Sequence, residues 1–145
     1  MTSTPDTRPD WEGLLRAMLH TLDAHMQPED RAVLLRAIGA QMAALSPLPP
    51  EDTLAGLEAR MNERLATSRW GSVSISLDLE GPALVLTHAG PPALPITSDT
   101  AGHWMAPVLE GLHAGWIAAQ PGAEPEVQAY LVSAQEGSMV LRYGA

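Results

Sequence analysis

The chain has 145 residues, a net charge of −9 and an apolar fraction of 46%, which suits one domain with a real core and excludes a disordered polymer. All eight basic residues are arginines, seven of them before residue 71, and the second half holds seven acids against Arg142 alone. Phosphate binding needs clustered cations, so this balance argues against nucleic acid and anionic lipid as partners, and the lack of cysteine removes disulfides, thiol chemistry and cysteine metal sites.

Residues 1–8 read as a polar tail, followed by a single domain over 9–145. The N-terminus "MTSTPDTRPD" has no apolar core of a secretory signal, and no apolar run reaches the roughly 20 residues of a membrane span. A cytoplasmic location is expected, with a periplasmic one as the alternative if a signal has been trimmed. Pro9 suits the first turn of a helix. Trp11, Leu14, Leu15, Met18, Leu19, Leu22 and Met26 then recur at helical spacing, predicting a first helix over about 9–26. Pro28, with Glu29 and Asp30 at the positive end of the dipole, opens a second helix to about 45. "SPLPP" is a rigid elbow, and a third helix runs from Pro50 to about Thr67.

At Trp70-Gly71 the period changes from helical to alternating. In "SVSISLDL" Val73, Ile75, Leu77 and Leu79 alternate with polar residues, predicting a strand over 72–79 with one buried face. Glu80-Gly81-Pro82 is a turn and "ALVLTHA" a second strand, so the pair forms a hairpin. A Pro-rich loop and an apolar helix follow, and "VQAYLVS" and "MVLRYG" make a second hairpin around Gly137. The order ααα-ββ-α-ββ predicts an α+β fold: three N-terminal helices, a β-hairpin, a long apolar helix, and a second β-hairpin completing a four-stranded antiparallel sheet.

The apolar helix lies in "GHWMAPVLEGLHAGWIAAQPGA", residues 102–123. Its bulky stripe, Met105, Val108, Leu109, Leu112 and Trp116, should cover the sheet. A second stripe, Pro107, Gly111, Ala114, Gly115 and Ala118, is small. Each interior glycine costs about 0.5–1 kcal/mol relative to alanine, so such a stripe makes sense where another backbone packs closely. That backbone is either a helix of the same chain or a second copy, and the five residues are taken as a candidate oligomer interface.

The same segment strongly resembles the family of the cellulose synthase operon protein D, an accessory subunit of bacterial cellulose synthesis. The resemblance rests on Gly102, Trp104, the run Met105 to Leu112, Trp116 and Gln120 to Ala123, with His113 where the family more usually has Tyr. Trp70-Gly71 and "RPDW" (Arg8 to Trp11) extend it over nearly the whole chain. The resemblance implies a non-catalytic protein, without cofactor, that forms a ring-like homo-octamer, a tetramer of dimers, with internal passages for glucan chains. It implies as partners the synthase complex, nascent β-1,4-glucan and, in some members, a scaffolding protein. It also makes Arg8, Pro9, Asp10 and Trp11 the candidates for glucan contact, chemistry that suits them: arginine donates to hydroxyls, and an indole covers the apolar face of a glucose ring. Trp11 reads more readily as a core anchor of the first helix.

The remaining constellations are weak. His20 and His25, with Asp23 between them, are five residues apart and do not share a helix face, which argues against a metal site. Glu110 and His113 occur as one Glu-x-x-His where a di-iron bundle needs two, so they read better as a hydrogen-bonded pair at a contact between copies. A glycosidase needs two carboxyl groups across a cleft, for which only Asp99 and Glu110 can be nominated. No Gly-rich phosphate loop is present, which argues against nucleotide-sugar transfer. A competing reading is a small-molecule binding module with a pocket between the apolar helix and the sheet, walled by Trp104 and Trp116.

Overall fold

A computed structural model describes residues 9–81, 83–94, 103–124 and 127–144. The elements in order are α1 (Glu12–His25), α2 (Pro28–Leu45), α3 (Leu54–Ser68), β1 (Ser72–Leu77), β2 (Ala83–Ala89), α4 (Met105–Ala118), β3 (Ala129–Gln135) and β4 (Ser138–Gly144). The strands form one antiparallel sheet in the order β1-β2-β4-β3. The α+β architecture expected from the periodicities is therefore the observed one.

Several boundaries move for local reasons. α1 starts at Glu12 rather than residue 9: Trp11 is its N-cap and makes no side-chain cap bond, and the Asp10 carboxylate accepts the Glu12 N–H at 3.0 Å in the turn that leads into the helix. α3 starts at Leu54 rather than Pro50, because Thr53 is its N-cap, its hydroxyl accepting from the Gly56 N–H at 3.0 Å. β1 stops at Leu77 instead of residue 79. Asp78 turns the chain by accepting the Glu80 N–H at 2.9 Å, and Leu79 is left almost fully exposed at the tip.

α4 corrects the expectation of a long apolar helix. It has 14 residues, shorter than the 18 of α2. It is the most enclosed element: ten of its residues are buried, including Glu110 and His113. Its backbone lies closer to α2 than to the sheet. The reason is steric. A Cβ on Gly39 would lie 1.9 Å from the Val108 carbonyl oxygen, and one on Gly111 would lie 1.9 Å from that of Arg36. The two helices cross at backbone contact, which only glycine permits.

The core joins Leu35 and Ala43 of α2, Leu57, Met61 and Leu65 of α3, the bulky stripe of α4, and Val73, Leu86, Met139 and Leu141 of the sheet. α1 contributes only Leu19 to the fully buried set. At about 25 cal/mol per Å² of apolar burial, a helix with one buried side chain is held weakly. Trp11, Leu14 and Met18 are 65%, 54% and 48% exposed, so much of the apolar stripe of α1 stands outside the core. No helix among the described residues is long and apolar enough to cross a membrane.

Candidate functional site

Almost every polar side-chain group of the α4 segment is a tether to another part of the fold. Trp104 donates its indole N–H to the Leu94 carbonyl and Trp116 donates to the Ser46 carbonyl, both at 2.9 Å. Gln120 accepts the Glu51 N–H at 2.9 Å and points its amide at the Pro49 carbonyl, fixing the "SPLPP" elbow. Glu110 is 6% exposed. One of its oxygens accepts from Arg36 on α2 at 3.0 Å and the other accepts the Leu131 N–H of β3 at 2.7 Å.

The Glu110–Leu131 bond occupies an edge donor of β3, beside the register shift between Leu131 and Ser133. The opposite edge is blocked in the same manner. The Asn62 amide of α3 both donates to the Val73 carbonyl at 2.9 Å and accepts the Val73 N–H at 2.8 Å, and Glu58 accepts the Ile75 N–H at 2.8 Å. Helix side chains thus satisfy groups on both outer strands that would otherwise invite strand addition.

His113 does not pair with Glu110, contrary to the expectation from their spacing. It bonds His88 of β2, with His88 Nδ1 and His113 Nε2 2.9 Å apart and both rings at 0% exposure. His88 Nε2 lies 2.6 Å from the Trp70 carbonyl oxygen. A carbonyl only accepts, so His88 Nε2 carries the proton, its Nδ1 is bare, and His113 must donate from Nε2. That leaves His113 Nδ1 as a buried acceptor, and no described atom donates to it. Burial lowers the pKa of both rings, that of His113 to about 3, with the neighbouring His88 adding to the effect. Both are therefore neutral at pH 7. Nothing in "ALVLTHA" marks His88 except its inward register with Leu84 and Leu86.

The candidate glucan-contact residues divide. Arg8 lies outside the described residues. Pro9, Asp10 and Trp11 are exposed at the start of α1, so Trp11 is not the core anchor it could have been. Of the candidate interface residues, Gly111 and Gly115 face α2 of the same chain; a Cβ on Gly115 would lie 2.8 Å from that of Ala43. The neighbouring backbone at these two positions is intrachain. Pro107 and Ala114 are half-buried and Ala118 is exposed.

The other nominees do not converge. Asp23 pairs with Arg31 of α2. Asp99 lies outside the described residues, and Glu110 has both oxygens occupied within the fold rather than facing a cleft. Trp104 and Trp116 do not wall a common pocket. Trp116 closes a void of only about 50 Å³ with Trp70 and Met42, and Trp104 borders a separate shallow groove with Arg31 and His103. The larger groove between α4 and the sheet lies elsewhere, at the C-terminal end of α4.

Residues 1–144 match the family described as the D subunit of cellulose synthase. A cellulose synthase operon protein D from Komagataeibacter xylinus is 36% identical over 121 residues, covering 83% of this chain and 78% of its own length. The protein of that name from Komagataeibacter sucrofermentans gives the same figures, and another from K. xylinus is 33% identical over 118 residues, 81% of this chain and 76% of its own. The chain belongs to the cellulose synthase operon protein D family.

Proposed function

We propose that this chain is a non-catalytic accessory subunit of bacterial cellulose synthesis that acts by self-assembly. It forms a ring of eight copies, a tetramer of dimers, on the cytoplasmic side of the synthase complex, and guides nascent β-1,4-glucan past its exposed N-terminal residues. Family membership supports the link to cellulose synthesis. The observation that carries the assembly is the apolar surface of the first two helices: Trp11 at the start of α1, Leu14 and Met18 on it, and Leu34, Ile38 and Leu45 on one side of α2 all stand at least 38% exposed. Large apolar side chains grouped on neighbouring helices mark contact surfaces. The same surface accounts for a helix as thinly anchored as α1, which a second copy would cover.

The small-residue set is not needed for that contact at Gly111 and Gly115, while Pro107 and Ala118 remain accessible to a neighbour. The non-catalytic reading is favoured by Glu110, whose two oxygens hold α2 and β3 together. In a cellulose-producing strain lacking its own operon protein D, expression of this chain should restore cellulose yield. Leu14→Glu with Ile38→Glu, placed on exposed positions, should not. Full restoration by the double variant would contradict assembly through these helices, and no restoration by the unaltered chain would contradict the role itself.

A further inference from the structure

At the C-terminal end of α4 the two hairpins leave an open groove of about 690 Å³, with room for more than one side chain. Its lining is largely apolar, with Leu77 of β1, Leu84 of β2, Ile117 of α4 and the rings of Tyr130 and Tyr143. Leu77 is 63% exposed, and Leu79, in the turn beside it, is 97% exposed. The charged groups stand around this apolar surface. Glu124 lines the groove, and its charge adds to burial in raising the pKa of the Tyr143 phenol. Arg142 stands beside Gly81, where an added Cβ would lie 3.1 Å from its guanidinium, and it interacts with Tyr130. That cation is already held by Asp78, and Glu80 adds an exposed carboxylate just before Gly81. One paired arginine thus stands among three carboxylates.

We infer that this groove docks a basic segment of a partner protein, one that brings a large apolar side chain flanked by arginine or lysine. Charge selects the occupant. The chain carries a net −9, so a second copy or another acidic protein meets like charge here. The one arginine that could answer an anion is taken by Asp78. A basic segment instead meets Glu124 and Glu80, which steer it to the groove and fix its placement. The apolar side chain supplies the affinity, because its burial against Leu77 and Ile117 removes from water a surface that stands open to it. A segment with charge alone would leave that surface wet. None of the described lining residues comes from α1, α2 or α3, so this surface is separate from the one proposed for self-assembly and does not rest on it.

The test is fluorescence anisotropy of a short labelled peptide of alternating arginine and leucine, titrated with the full chain. Two comparison peptides carry glutamate for each arginine, or serine for each leucine. The arginine–leucine peptide is expected to bind, and each comparison peptide to bind at least tenfold more weakly. Leu77→Ser and Glu124→Lys change exposed positions, so the fold is kept, and each should lose at least tenfold in affinity. Glu136→Lys makes the same charge change in the turn at the far end of the second hairpin and should stay within about threefold. No binding at millimolar peptide, equal losses from Glu124→Lys and Glu136→Lys, or indifference to Leu77→Ser overturns the inference. So does a fall in the mass of the protein alone on Leu77→Ser, which would assign the groove to a second copy.

Discussion

Gly39 of α2 and Gly111 of α4 form a reciprocal contact in which each glycine lies against the backbone flanking the other. A methyl group on either would stand 1.9 Å from a carbonyl oxygen of the facing helix. Backbone cannot yield as a side-chain tip does, so the helices would have to separate. Gly111→Ala should destabilise by about 3 kcal/mol despite the better helix propensity of alanine. Exposed Gly13, with nothing within 4 Å of an added Cβ, is the control: Gly13→Ala should be neutral or stabilising. Urea midpoints of the two variants check this.

The His88–His113 pair predicts acid sensitivity with a definite sign. Both rings have folded pKa values below the ordinary histidine value near 6.5, so the unfolded chain binds more protons. Their contribution is complete above about pH 6.5 and is lost as pH falls toward the His113 value of about 3. The loss approaches ~1.4 kcal/mol per pH unit for each proton taken up on unfolding. His113→Gln can still donate an N–H to His88 and should flatten the change in urea midpoint between pH 7 and pH 5. Asp78, held low first by the Glu80 N–H and then by Arg142, loses its contribution only as pH falls through the ordinary carboxylate value of 3.8 and lower, outside the pH 7 to 5 window.

Glu110 joins three elements, and its two bonds are separable. Glu110→Gln keeps an acceptor for the Leu131 N–H and should cost about 1–2 kcal/mol through the weakened tie to Arg36. Glu110→Ala strands the Leu131 N–H and removes the Arg36 partner, and should cost about 3–5 kcal/mol. Amide exchange at Leu131 should quicken in the alanine variant beyond what its global stability explains. At the other edge, Asn62→Ala exposes both polar groups of Val73 and should raise the rate of aggregation.

How much of this was legible in the sequence follows from which signals are local. The period change at Trp70-Gly71 with the alternation of Val73 and Ile75, and the two apolar runs either side of Gly137, are local signals, and one hairpin could be read from each. The small residues of α4 marked a close backbone, but they could not say whose. The answer lay in Gly39, a single glycine far earlier in the chain with no pattern around it. The α1 stripe announced a helix but not its cover: helical periodicity reports an apolar face, not what packs on it, and Trp11 and Leu14 are left outside the monomer's core. His88 and Asn62 act through partners far away in sequence, and no spacing rule reaches them.

Self-assembly through the first two helices is the central claim, and the mass of the intact protein in solution tests it most directly. Light scattering behind size exclusion at micromolar concentration should give about eight times the 15.4 kDa chain mass, and Leu14→Glu with Ile38→Glu should drop it to dimer or monomer while helix content is kept. A monomeric mass for the unaltered chain, or an unchanged large assembly in the double variant, would contradict the account.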